Sequence, residues 1–174
     1  MPHASVKTIR DLIYWEYAKL ISGSAVGDRK NWGFVMCTFK KLKDKKIKPS
    51  EILRENKKFF EAKKICAYCG GEEHPEWEHI IPRSKIVLDN IDNQVLACRK
   101  CNAQKGGRDP FEYYGLERRY EIPRIVLGKY LKLIFEIHEH NGTLDSVGDL
   151  NQDGKIDVYD LGVIIPKEMI EKIK

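Results

Sequence analysis

Residues 8–21 set Ile9, Leu12, Ile13, Trp15, Tyr17, Leu20 and Ile21 among charged side chains at helical spacing, and Gly23 follows as a stop. The pattern predicts one amphipathic helix. Residues 24–31 have the composition of a loop, and residues 32–42 predict a second helix that runs into the lysine block KKLKDKKIK at 40–48. Pro49 and Ser50 precede a third predicted helix, which Ser50 can cap. From residue 65 the periodicity shortens. ICAYCGG, WEHIIPRS and residues 87–97 read as β-like pieces between turn residues. A helix is expected near Arg99, and a long amphipathic one over residues 122–140, with Pro123 in its first turn and Gly142 beyond its end. The remaining GDLNQDGKIDVYDLGVII predicts a loop and then a short apolar segment. The expected class is α+β, mostly α.

With 174 residues, 42% hydrophobic and 10% aromatic, the chain can bury a core, which excludes a disordered tail and a fibrous repeat. One main domain with appendages is the expectation at this length. No apolar run approaches the roughly 18 residues that cross a bilayer. The first twenty residues lack a charged segment followed by an apolar one, so a reducing, cytoplasmic setting is expected.

Charge divides the chain into three regions. Residues 1–64 carry 16 Lys and Arg against 7 Asp and Glu; residues 65–140 carry 11 against 12, and residues 141–174 carry 4 against 7. A helical front of net charge +9 suggests contact with a polyanion, although a solvated lysine face has the same composition.

Cys66-x-x-Cys69 and Cys98-x-x-Cys101 have the spacing at which a tight turn presents two thiolates to one tetrahedral ion. Gly70 and Gly71 follow the first pair as such a turn requires. A closed, structural four-thiolate Zn²⁺ site is expected, two disulfides being the alternative, and Cys37 is left over as a buried core thiol. Between the pairs lies Trp77-Glu78-His79-Ile80-Ile81-Pro82-Arg83-Ser84. His79 has the unperturbed pKa best suited to activating water near neutral pH, and Glu78 is a hard oxygen ligand suited to Mg²⁺ or Mn²⁺. Neighbours in a strand point to opposite faces, so the two could share one centre only on a bent hairpin.

The combination of the two Cys pairs, Glu78-His79, Ile-x-Pro-x-Ser, an Asn five residues before Cys98 and Cys98-x-x-Cys101-Asn102-x-x-Lys105 resembles the HNH endonucleases. It spans residues 66–105. The resemblance implies a ββα-metal (His-Me finger) core tied by treble-clef zinc knuckles, acting on DNA. By residue it implies His79 as general base, Glu78 and Asn102 as ligands of one divalent ion, and Asn93 as the residue orienting the hairpin that carries the base, with Asn90 its alternative. Glu78 stands where Asp is commoner and Asn102 where His is commoner. The amide oxygen favours Mg²⁺ or Mn²⁺ over Zn²⁺ there. Arg83, Arg99, Lys100, Lys105 and Arg108 flank the motif as candidate phosphate contacts. His138 and His140 lie near a helix end, where the dipole favours them.

In the tail, Asp149, Asn151, Asp153, the Lys155 carbonyl and Asp160 occupy the oxygen positions of an EF-hand loop, with Gly154 at its turn. The loop resembles a single calcium loop of dockerin modules, and Ca²⁺ as a clamp on the tail is the expectation. The regions 1–64, 65–140 and 141–174 then read as a DNA-contacting helical front, a nuclease core and a calcium-type tail. Rival expectations are a non-catalytic zinc-knuckle nucleic-acid-binding module and a calcium-dependent interaction protein. Cutting both strands would call for a homodimer.

Overall fold

In the computed structural model, which describes residues 3–47, 64–89 and 91–164, helix α1 runs Ile9–Val26. The Thr8 side chain caps it by accepting the Asp11 N–H. The helix passes through Gly23, where a stop was expected, and ends at Gly27, whose φ of 76° is the left-handed conformation of a helix terminus. Helix α2, Trp32–Lys43, starts on Asn31, which accepts the Phe34 N–H. Its buried positions Val35, Thr38, Phe39 and Leu42 keep the predicted periodicity. Trp15 fixes the α1–α2 contact by stacking parallel to Trp32 and edge-on to Phe39 at centroid distances of 6.3 and 5.4 Å. The helix expected after Ser50 falls outside the described residues.

Glu76–His79 and Gln94–Ala97 form a two-stranded antiparallel sheet, β1 and β2, pairing Glu78 with Val95 and His79 with Gln94. A 3₁₀ turn, Ile91–Asn93, leads into β2. Helix α3, Arg99–Lys105, follows β2 directly, and helix α4, Pro110–Arg118, follows after a short turn. Helix α5 runs Arg124–His140, and a last 3₁₀ turn covers Asp160–Gly162. Five α-helices and one hairpin among the described residues make the fold α+β and mostly α. The segment ICAYCGG, expected to be β-like, is a turn: Cys66 N–H donates to the Gly71 carbonyl and Gly70 N–H to that of Cys66.

Contacts group the three charge-defined regions into two units. One comprises the described residues of Met1–Lys48 and Leu131–Lys174, the other those of Pro49–Tyr130. In the first, the tail returns to the start of α1. Thr8 bridges to Val147, Arg10 grips Asp145 through two bonds of 2.8 and 3.0 Å, and Leu144, Val158 and Leu161 are buried. Charge in the basic front is partly internal, because Lys43 pairs with the buried Asp11 at 2.8 Å and Lys19 with Glu16. His138, placed by sequence at a dipole-favoured helix end, is 1% exposed. Its Nε2 donates to the Leu161 carbonyl at 3.2 Å and its Nδ1 faces the Thr143 hydroxyl at 2.7 Å. Burial lowers its pKa below the ordinary histidine value.

Candidate active site and metal centre

The Sγ atoms of Cys66, Cys69, Cys98 and Cys101 all lie within 4.8 Å of one another. A tetrahedral ion with Zn–S bonds of about 2.3 Å sets its ligand sulfurs roughly 3.8 Å apart. The Cys69–Cys98 separation is 3.8 Å. The four thiols therefore fit zinc, and none is in a disulfide. Gly70 closes the first knuckle, since its φ of 73° turns the chain back directly after Cys69 and its N–H donates to the Cys66 carbonyl. The backbone N–H of Cys101 draws the Cys98 thiol down to about 7, while burial raises that of Cys101. Ala97, Tyr68 and the knuckle cysteines pack together where β2 enters α3. Cys37, expected to be buried, is exposed.

Alternation along β1 separates Glu78 from His79. The Glu78 side chain turns inward and is 5% exposed; its Oε1 accepts the Lys105 ammonium at 2.5 Å and its Oε2 the Tyr68 hydroxyl at 2.9 Å. Burial, then the nearby Glu78 charge, raises the Tyr68 phenol and keeps it a proton donor. Lys105 also donates to the His79 carbonyl at 2.8 Å and is fully buried. This corrects the expectation that Lys105 contacts phosphate. Lying four residues after the buried Cys101, it occupies the inner face of α3, and its charge is neutralised within the protein.

His79 projects to the other face, at 24% side-chain exposure. Its Nε2 lies 2.8 Å from Asp89 Oδ1, and the other Asp89 oxygen accepts the Arg83 guanidinium. Asp89 was not singled out from the sequence, since a lone Asp in a loop gives no local signal. The Gln94 amide stands 3.5 Å from His79 Nε2.

Asn93 is completely buried and holds the chain that leaves β1. Its Oδ1 accepts the Ile81 N–H at 2.9 Å, its Nδ2 donates to the carbonyls of Ile81 and Leu88 at 3.0 Å each, and its own carbonyl accepts the Ile80 N–H at 2.9 Å. A single amide thereby ties the end of the His79 strand to the loop that presents Asp89. Asn90 lies outside the described residues.

Further supports were not read from sequence. Lys85 joins Asp109 at 2.8 Å and Glu112 at 2.7 Å, and Asp109 with Glu112 forms a capping box on α4 with Pro110 in its first turn. The Asp-Pro-x-Glu spacing carried that signal. Lys129 reaches the carbonyls of Ile91 and Gln94 at 3.0 and 2.6 Å, securing the entry to β2. Arg83, Arg99, Lys100 and Arg108 are exposed. Arg108 folds back on α3, donating to the Lys105 carbonyl at 3.1 Å and lying 5.2 Å from the Tyr113 ring centre.

For a catalytic divalent ion, the donors named from sequence are Glu78 and Asn102. A carboxylate offers about four lone-pair positions, of which Lys105 and Tyr68 take one each. Asn102 lies three residues before Lys105 on α3, is half-buried, and its amide oxygen is a hard donor. The donor types suit Mg²⁺ or Mn²⁺, but the bent hairpin that would join Glu78 to His79 is not formed: Glu78 faces inward to Lys105 and Tyr68, and His79 faces Asp89.

In the tail, the loop side chains accept backbone N–H groups. Asp149 accepts those of Asp153 and Gly154, Asn151 that of Asp153, Asp153 that of Lys155, and Asp160 those of Asn151 and Asp157. Asp160 is fully buried, and burial raises its carboxyl above the usual range. Among the described residues, the four cysteines are the one group of three or more Cys, His, Asp or Glu whose ligand atoms gather as a metal would need.

Residues 66–108 match the family model described as HNH endonuclease. No curated protein and no solved structure matches the chain.

Proposed function

We propose that this chain, which carries an HNH endonuclease segment at residues 66–108, is a metal-dependent DNA endonuclease with a structural zinc. The observation that carries the reading is the buried Asn93 clamp, which holds His79 partly exposed on a hairpin anchored by four gathered cysteines.

In this reading His79 takes a proton from water as the water oxygen bonds to phosphorus. The bond to the 3′ oxygen breaks, and that oxygen leaves with its electron pair and is protonated by solvent. Glu78 and Asn102 are the residues that would hold Mg²⁺ or Mn²⁺, and such an ion would supply charge neutralisation at the phosphate and the leaving oxygen. Asn93 keeps the hairpin in register, and the Glu78 carboxylate, bonded to Lys105 and Tyr68 on the inner face, must leave those partners to share a centre with His79. Zinc on Cys66, Cys69, Cys98 and Cys101 joins the knuckle to α3. Arg83, Arg99, Lys100 and Arg108 supply exposed positive charge for the DNA backbone. The oxygen order of the tail loop, together with the buried Asp160, supports a calcium ion held by Asp149, Asn151, Asp153, the Lys155 carbonyl and Asp160. The cytoplasm is the proposed location, and a homodimer the form that would cut both strands.

The test is nicking of supercoiled plasmid with Mg²⁺, Mn²⁺ or EDTA. Metal-dependent nicking lost in His79→Ala is expected. Equal DNA binding by both proteins with no cleavage under any condition would replace this reading with a non-catalytic zinc-knuckle binding module.

A further inference from the structure

We infer that Asp89 is a positioning residue for His79, holding its imidazole as the Nε2–H tautomer so that Nδ1 is the atom that accepts the proton from water. This rests on the reading of His79 as the general base and specifies which nitrogen does the work.

An ionised carboxylate only accepts hydrogen bonds, so the 2.8 Å contact between Asp89 Oδ1 and His79 Nε2 requires the proton to be on Nε2. A neutral imidazole carries one N–H, which leaves the lone pair on Nδ1. Asp89 is itself held in place, because its second oxygen accepts the Arg83 guanidinium. The chain on both sides is fixed by Asn93, which binds the carbonyl of Leu88, the residue before Asp89, and both backbone groups of Ile81, two residues after His79. The Gln94 amide nitrogen, a donor that would call for a bare Nε2, stands off at 3.5 Å against the 2.8 Å of the carboxylate.

The proton balance follows. Water gives one proton to Nδ1 and its oxygen to phosphorus. The resulting imidazolium keeps its Nε2–H on Asp89, whose negative charge offsets the positive charge formed. Asp89 stays ionised throughout, and the imidazolium returns its Nδ1 proton to solvent. Asp89 acts only through His79.

Two measurements on the full chain test this. The first is the tautomer of His79, read from the ¹⁵N shifts of its ring nitrogens in the protein without DNA at neutral pH. The Nε2–H form is expected in the wild type, with a mixture or the Nδ1–H form in Asp89→Asn, whose amide can donate to Nε2. An Nδ1–H ring in the wild type, or no change in the variant, overturns the inference.

The second is plasmid nicking with Mn²⁺. Asp89→Asn should lower kcat by about 100-fold or more, with KM little changed. In His79→Gly supplied with free imidazole, Asp89→Asn should cost nothing further, because the free base orients itself. Equal losses in both backgrounds, or a loss under about threefold in the first, overturns the inference. A wild type that never cleaves while showing the Asp89-dependent tautomer removes the endonuclease reading and leaves Asp89 as the residue that positions His79.

Discussion

The ammonium of Lys105 lies 2.5 Å from the Glu78 carboxylate, and the two side chains are 0% and 5% exposed. A lysine that looks from the sequence like a phosphate contact is thus the internal counterion of the glutamate beside the candidate base. Breaking such a pair on one side strands a buried charge at a cost of roughly 3–5 kcal/mol, whereas removing both partners costs far less. Lys105→Met is expected to lower unfolding stability by about that amount in urea titrations, and Glu78→Gln with Lys105→Met to recover most of it. A double variant no more stable than Lys105→Met alone would show that the two charges are not coupled.

The same relationship separates structural from DNA-facing cations. Removing Arg99 or Lys100, both exposed, should flatten the dependence of log K on log salt by about 0.9 for each phosphate that the protein no longer neutralises. Lys105→Met, in whatever fraction stays folded, should leave that slope unchanged. Binding measured between low and moderate salt distinguishes them.

Zinc content is the third prediction. One equivalent per chain is expected by elemental analysis, falling well below one in Cys66→Ser, because Cys66 is fully buried among the four sulfurs and a serine hydroxyl is a poor replacement for a thiolate. Structural zinc sites in small domains contribute about 10–16 kcal/mol of apparent binding energy, which here would be folding energy for the knuckle and hairpin. Chelation should therefore abolish the ordered hairpin signals, and full retention of them without metal would count against the site.

His138 gives a pH dependence with a definite sign. Burial lowers its folded-state value beneath the unfolded one, so its stabilisation is fully present above the unfolded pKa of about 6.5 and is lost as pH falls through the folded value. The thermal midpoint should decline from pH 7.5 toward pH 5, and His138→Gln should decline less steeply. A steeper decline in the variant would assign the dependence to other groups.

Calcium at the tail loop is tested by heat. Millimolar Ca²⁺ should raise the unfolding midpoint by an amount that grows with log concentration, and Asp149→Ala should remove the effect. Mg²⁺ in place of Ca²⁺ should give little, because the loop offers an irregular set of oxygens that suits the larger ion. An unchanged midpoint across the Ca²⁺ series would leave the loop as a hydrogen-bonded turn.

Local chemistry determined much of this protein. The spacing of Ile9, Leu12, Ile13 and Leu20 specifies an amphipathic helix whatever surrounds it, and Cys-x-x-Cys followed by Gly specifies a knuckle because only a tight turn brings two thiolates to one ion. The gathering of all four cysteines was legible for the same reason. Gly23 misled because a glycine ends a helix only where the backbone turns left-handed, and that occurs at Gly27.

What the sequence could not decide is which side of an element a polar residue faces and what it meets there. Strand alternation placed Glu78 and His79 on opposite faces but did not say that Lys105 and Tyr68 would close over one and Asp89 over the other. Those partners lie 10 or 27 residues away in the chain, so their pairing depends on how the hairpin, its loop and α3 pack. The sequence by itself determined the helices α1, α2, α3 and α5 and the thiolate set, and it named the candidate base. The tertiary structure alone decided which charges are neutralised inside, because desolvation and hydrogen-bond geometry are properties of packed surroundings rather than of residue type.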